Sequence, residues 1–467
     1  MAVSKLFGAR IKRREDPRLI TGKATYTDDL QMPGMLYAVI VRSPHAHAKV
    51  VRVHTKAARA LPGVVAVFTG KDLAGKINPI PTAWLIPGSD LKTPPHPALA
   101  TDVVRYVGDG VAVVVAESQF AAGDAAALVQ VEYAPLPAIV DQERAVRDGA
   151  PQLHADAPRN VAFTWRVAGG DAEAAFVEAK RDGVVLSQRF LNQRLIPNAM
   201  ETRGTVARYN SGSGDLTVWT TTQNPHIARF LLSVVTGISE QKIRVIAPEV
   251  GGGFGSKIPL YADDAIVVFC SKATGQPVKW VEDRRENYLA TIHGRDHITD
   301  IEVAARKDGT VTAIRGKTWA NLGAYLSTAA PGVPTILHGL MMTGCYAIPN
   351  ISYEVQGVFT NTVPVDAYRG AGRPEATYVI ERMMDLVAER VKMDPAELRR
   401  KNFIPSDKFP YTTAEGLAYD SGNYGPALTK ALDLIGYQRL REFQKQGPKD
   451  NRYLGVGLST YVEICGL

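Results

Sequence analysis

The sequence predicts an α+β chain in two parts, and three observations carry that reading. Between residues 35 and 140, strand-like runs alternate with an alanine-rich helical stretch. Beyond residue 160 come two hairpin signals and several helix starts. The stretch VRDGAPQLHADAPRN between them, 146–160, is poor in apolar periodicity and rich in Pro, Asp and Ala, which marks a linker. The expected division is an arm at 1–18, a compact α/β unit at 19–145, the linker, and a mixed α+β region at 161–467.

Taken in order, MLYAVIVR, VVAVF and GVAVVVAES read as strands, SQFAAGDAAALVQ as a helix and VEYAPLPAIV as a further strand-like run. GTVARYNSGSGDLTVWTTTQ reads as two strands around a Ser/Gly turn. Asn224-Pro225 opens HIARFLLSVVTG, where Asn suits the N-cap, Pro the first helical position and Gly237 the stop. ITDIEVAARKDGTVTAIRGKTWA folds back at Asp308-Gly309. In EATYVIERMMDLVAERVK, residues Val379, Ile380, Met383, Leu386, Val387 and Val391 share a face, so the methionine pair reads as core. Asp394-Pro395-Ala396-Glu397 has the form of a further helix start.

With 467 residues, 45% of them hydrophobic, the chain has enough apolar material for two to four domains. Its formal charge of +7 is spread without a block of like charges, which gives no nucleic-acid signature. Cys270, Cys345 and Cys465 lie far apart with no CxxC, which argues against a disulfide framework and fits a cytoplasmic setting. Three thiols cannot hold a four-cysteine iron–sulfur cluster, so any such cluster belongs to another chain. No apolar run is long enough for a membrane span. Arg13-Arg14 is followed by Glu15-Asp16-Pro17 in place of an apolar region and reads as surface.

Two glycine-rich stretches carry the chemistry. PEVGGGFGSK, 248–257, follows the β-branched run KIRVI. Counting from Gly251, the sixth position is Ser256, so the dinucleotide fingerprint fails, and Ser256 precedes Lys257, so the Walker pattern fails too. What remains is either a tight turn or a cradle of backbone N–H groups for an oxygen-rich anion. VDAYRGAGRPEA, 365–376, is a second such turn before a long helix, with Arg369 and Arg373 offering forked donors. Gln223 in TTTQNPH supplies an amide just before a helix start. Together they point to one elongated anionic cofactor.

TQN, GGGFG followed by a lysine, and AYRGAGR in this order resemble the molybdenum hydroxylases, specifically the large subunit of the xanthine dehydrogenase, aldehyde oxidase and aerobic carbon monoxide dehydrogenase family. RSPHAHAKV is similar to the family's small N-terminal α/β hammerhead domain. The resemblance implies a molybdopterin-binding region after that domain and a molybdopterin cofactor with Mo, in its cytosine dinucleotide form. Gly252, Gly253, Phe254 and Gly255 would face it, with the Phe254 and Gly255 N–H groups near the metal oxygens and Gln223 bonded to an oxo ligand. Ala367, Tyr368, Arg369, Gly370, Ala371 and Arg373 would line it from the other side, and no side chain would bind the metal.

The resemblance further implies an iron–sulfur small subunit with [2Fe-2S] clusters, an FAD medium subunit, and an aldehyde or N-heterocycle as substrate. Carbon monoxide oxidisers of the family have a cysteine where this chain has Gly370. Xanthine-specific members have an acidic residue at Ile258 and a phenylalanine at Ala371. Family subunits continue well past the point corresponding to Leu467, so the C-terminal part of the fold and the general-base glutamate are expected beyond it. They would lie on a separate C-terminal half or be lost by truncation, and the other reading is a structural fragment without cofactor or activity. RYLGVGLSTYVEICGL is expected to be a strand with an open edge. Glu249, His45, His47, His226 and Cys270 are expected to be structural.

Overall fold

The structure is a computed structural model that describes Leu6 and residues 8–464. Its first layer is a seven-stranded sheet in the order Ile243–Ile246, Leu216–Thr220, Gly204–Tyr209, Val278–Val281, Leu36–Arg42, Gly110–Ala116, Val64–Thr69. The sheet takes strands from both sides of 146–160, which meet where Leu36 pairs in parallel with Val278. Gly110–Ala116 is buried at every residue, as a continuous β-branched run requires when both faces are covered. Val113 and Val115 pack towards Leu231, Ile266 and Phe269 of the helices Pro225–Thr236 and Ala262–Thr274. Ala112 and Val114 face the other way, towards Ala125 of the helix Gln119–Ala127. The period-two alternation of one strand thus feeds two cores.

The second layer is a five-stranded sheet in the order Val161–Gly169, Asn350–Phe359, Val311–Gly323, His297–Arg306, Gly183–Asn192. Its central hairpin turns at Asp308-Gly309, where Gly309 has φ +86°. The helix Arg373–Val391 buries Val379, Ile380, Met383, Met384 and Val387 in the largest core, so the methionine pair is core. Asp394 caps the next helix, Pro395–Asn402, by accepting from the Ala396 N–H. A small sheet of Val103–Val104, Ala48–His54 and Gln130–Pro135 completes the N-terminal part.

A buried ion network ties the first segment to the helix behind the glycine loop. Arg42 donates to Asp263 at 2.7 Å and to Glu286 at 2.8 Å, and Arg203 donates to Asp263 at 2.8 Å and to Glu282. Burial opposes charge on Asp263, yet the two guanidinium groups hold its carboxyl well below the usual carboxylate range. Losing one partner would strand a buried charge, which is why such a network fixes geometry strongly.

Two local expectations are corrected. Asn224 precedes the helix Pro225–Thr236 without capping it through its side chain, while Gly237 ends it at φ +70° as read. The run from Tyr453 to Ile464 joins no sheet among the described residues. It lies extended, with Val456, Leu458, Val462 and Ile464 packed on the core and Thr460 N–H donating to Glu381 at 2.7 Å. Its alternating pattern matches an inward-facing row, but side chains hold it where a ladder was expected. Cys465 lies outside the described residues.

Candidate functional site

The glycine loop connects the strand Ile243–Ile246 to the helix Ala262–Thr274, and close approach explains its composition. A Cβ on Gly251 would stand 2.5 Å from Glu201 Cβ, and one on Gly253 2.3 Å from Gln223 Oε1. On Gly255, at φ +102°, a Cβ would stand 2.1 Å from the Ala367 carbonyl oxygen. Any larger residue would push apart the segments that meet here.

Those segments hold the loop by its backbone. Glu201 Oε2 accepts from the Gly251 N–H at 2.7 Å and from Lys257 Nζ at 2.8 Å. The Lys257 side chain is 1% exposed, and burial lowers the pKa of its ammonium against the support of Glu201. Gln223 Oε1 accepts from the Gly255 N–H at 2.9 Å, so that N–H, expected at the metal oxygens, is already taken, while the Gln223 NH2 is left for another acceptor. Ser256 closes the turn onto the Gly253 carbonyl through both its N–H, 2.9 Å, and its Oγ, 2.7 Å. Gly252, Gly253 and Phe254 keep N–H groups with no partner among the described residues. Phe254 has φ +54° and an exposed ring. The loop is therefore a tight turn and also a row of free donors.

The second loop, 365–372, leads into the helix Arg373–Val391 and touches the first. The Arg369 N–H donates to the Phe254 carbonyl at 2.9 Å, and the exposed Arg369 guanidinium lies 6.0 Å from the Phe254 ring centre. Ala371, at φ +43°, donates to the Tyr368 carbonyl at 2.8 Å. Gly370 has φ +96°, and a Cβ there would stand 2.4 Å from Pro374 Cγ. Arg373 turns back, donating through Nε to the Gly370 carbonyl at 2.7 Å, pairing with Glu463 at 3.1 Å and bonding the Ile464 carbonyl. Ala367 and Ala371 sit in an apolar cluster with Val333 and Leu337, against which Trp84 and Ile258 pack.

The structure thus brings Gln223, Gly252, Gly253, Phe254, Gly255 and the residues from Ala367 to Arg373 into one contiguous site. Sequence reasoning missed four supports: Glu201, Arg295, Glu375 and Asp366. Asp366 is buried and accepts from the Ala367 N–H at 2.6 Å and the Ala329 N–H at 2.9 Å. Burial pushes its carboxyl upward, as it does that of Glu375. Asp366 stands inside the quoted loop and could have been marked as an acid there. Glu375 also stands inside the quoted stretch, three residues past Gly372, whereas Glu201 and Arg295 reach the loops only through tertiary approach.

The other residues singled out lie elsewhere. Glu249 pairs with Arg18 at 2.5 Å and accepts from the Thr25 N–H at 3.2 Å, anchoring the N-terminal segment. His47 Nδ1 bonds the Pro137 carbonyl at 2.7 Å, and His45 lies against Tyr133. His226 is exposed in the first turn of its helix, and Cys270 is buried. The donor set of the site consists of free N–H groups, one amide and one exposed guanidinium. The carboxylates of Glu201 and Glu375 are each tied to a cation, Lys257 and Arg295. Such a site suits an oxygen-bearing anion and does not suit a bare cation.

Comparison with known proteins gives the same region. The family described as the molybdopterin cofactor-binding domain matches residues 153–403, and the α/β hammerhead domain of aldehyde oxidase and xanthine dehydrogenase matches 21–137. The chain is 40% identical to the carbon monoxide dehydrogenase large chain of Hydrogenophaga pseudoflava, over 97% of this chain and 57% of that one. It is 30% identical to the nicotinate dehydrogenase large molybdopterin subunit of Eubacterium barkeri, over 90% of this chain and 95% of that subunit. The crystal structure of quinoline 2-oxidoreductase from Pseudomonas putida 86 superposes with a TM-score of 0.89 at 34% identity, over 94% of this chain and 55% of that one. The chain spans a little over half the length of the first curated relatives it matches.

Proposed function

The chain belongs to the molybdopterin cofactor-binding family of the aldehyde oxidases and xanthine dehydrogenases, and from that premise we propose that it is the cofactor-cradling part of a molybdenum hydroxylase large subunit. The observation that carries the proposal is the direct junction of the two loops, Arg369 N–H to Phe254 carbonyl, beside free backbone donors. When bound, a molybdenum pterin supplies the oxygen-transfer and two-electron chemistry. Gly252, Gly253 and Phe254 would donate backbone N–H groups to its oxygens, and Gln223 its free amide. Arg369 would pair with its anionic part, and the Gly370 N–H would close the other side. Arg373 would act by holding the Gly370 carbonyl. The phosphates of a cytosine dinucleotide form would account for the surplus of donors.

The substrate is an aldehyde or an N-heterocycle. Ile258 and Ala371, which pack with Ala367, Val333 and Leu337, stand where xanthine-specific members have an acidic residue and a phenylalanine, which speaks against a purine. Relatives named for quinoline and nicotinate favour the heterocycle. Gly370 stands where carbon monoxide oxidisers of the family have a cysteine, which speaks against carbon monoxide as the substrate.

Electrons leave through an iron–sulfur small subunit and an FAD medium subunit in the cytoplasm. No helix among the described residues is long and apolar enough to cross a membrane.

The deciding experiment is mass-spectrometric molybdenum analysis and acid release of cytosine nucleotide from the chain purified from its native host. Near-stoichiometric metal with co-purifying flavin and iron–sulfur chains is expected, followed by turnover in a screen of aldehydes and N-heterocycles. A chain without molybdenum or partners would be a structural fragment of such a subunit.

A further inference from the structure

Two consecutive carbonyls of the second loop end on one side chain from outside it. Arg295 is 8% exposed, has φ +65°, and follows Gly294, where a Cβ would stand 2.3 Å from Tyr368 Cβ. Its Nη1 donates to the Tyr368 carbonyl at 2.7 Å and to Glu375 Oε2 at 3.1 Å. Its Nη2 donates to the Arg369 carbonyl at 2.8 Å, and its guanidinium lies 4.9 Å from the Tyr368 ring centre.

A trans peptide carries its N–H opposite its C=O. Fixing the Tyr368 carbonyl therefore fixes the Arg369 N–H, which donates to Phe254 in the glycine loop. Fixing the Arg369 carbonyl turns the Gly370 N–H away from Arg295, and that N–H has no partner among the described residues.

We propose that Arg295 is the positioning residue of the site: it aims the Gly370 N–H at the bound anion and couples the arginine loop to the glycine loop through the Tyr368–Arg369 peptide. Glu375, in the first turn of the following helix, is its counter-charge, and Glu375 Oε1 is buried with no partner among the described residues. A planar fork holds two adjacent carbonyls and a carboxylate at once, which the compact ammonium of lysine does not reproduce. The anion-aiming half of the proposal rests on the molybdopterin reading; the loop coupling does not.

The test compares Arg295→Lys and Glu375→Gln with the parent, in the full chain together with whatever partners co-purify. Hydrogen exchange of the cofactor-free chain reads the Arg369 and Ala371 amides, and metal analysis reads molybdenum per chain. In R295K, exchange across 367–372 should rise about tenfold while the five-stranded sheet keeps its protection. Molybdenum content should fall several-fold, and in the assembled enzyme kcat should fall with KM little changed. E375Q should show the same pattern at about threefold, and it decides the matter if R295K does not fold. Unchanged exchange at 367–372 in the folded variant overturns the proposal, and so does loosening spread evenly over the sheet. A parent chain without molybdenum overturns the anion-aiming half, and the exchange comparison then decides the coupling.

Discussion

The glycine loop and the arginine loop are each backed by a buried ion pair, Lys257–Glu201 and Arg295–Glu375, but the pairs grip opposite sides of the backbone. Behind the glycine loop a carboxylate and an amide accept from N–H groups, at Gly251 and Gly255. Behind the arginine loop a guanidinium donates to carbonyls, at Tyr368 and Arg369. The first grip uses donors at both ends of its loop and leaves those in the middle. The second uses acceptors and turns the N–H that follows them, that of Gly370, outward. A loop can thus be made to present donors by saturating its carbonyls as well as by being rich in glycine.

The largest effect should come from Gly255→Ala, which sets a Cβ against the Ala367 oxygen at positive φ and so wedges the loops apart. A loss of about 3–5 kcal/mol in urea unfolding is expected. A loss below about 1 kcal/mol would mean that the loops are not in rigid contact.

Lys257→Met should cost about 2–3 kcal/mol, less than a fully buried pair because the Glu201 side chain is 18% exposed. It should loosen 248–257 in hydrogen exchange and spare 365–372. Equal loosening of both would erase the distinction between the two supports.

Acid should act on the buried histidines, and His338, beside the arginine loop, is one of them with His96, His154 and His293, whose imidazole pKa values burial also lowers to about 4. His338 is fully buried, and a Cβ on Gly372 would stand 3.0 Å from the His338 backbone nitrogen. Burial lowers the His338 imidazole pKa from 6.5 to about 4. The unfolded chain therefore takes up its proton first as the pH falls below 6.5, and stability present above that value is lost progressively towards pH 4. The loss attributable to His338 is about 2 kcal/mol at pH 5. His338→Gln should flatten that part of the profile of melting temperature against pH, and an unchanged slope would assign it to other groups.

The smallest effect should come from Glu249→Gln, since its partner Arg18 is half exposed: little change in urea unfolding, with unchanged molybdenum content. A large loss of metal would make Glu249 part of the site after all.

Strands, hairpins and the two glycine turns were legible because their signals are local. Asp308-Gly309, Gly237 and Asp394 each act on residues within a turn of themselves. The glycines were legible as glycines, but the reason for each lay in a distant partner: Glu201, Gln223 or Ala367. Arg295 shows no local sign at all, since its value depends on a strand arriving within reach of two carbonyls far along the chain. Tyr453 to Ile464 misled for the opposite reason. Its alternation was real, but alternation specifies which side chains face inward and does not supply a neighbouring strand.

The seven-stranded sheet has a consequence for biosynthesis. Leu36 must find Val278, so the first strands leave the ribosome long before the strand beside them exists. The GVAVVVA segment pairs with earlier strands on both edges, but the face of Val113 and Val115, covered in the finished fold by Leu231, Ile266 and Phe269, would meanwhile be open. The seven-stranded sheet is therefore complete only once the strand Val278–Val281 has emerged, and a chain cut short before it should leave the inner face of Gly110–Ala116 uncovered.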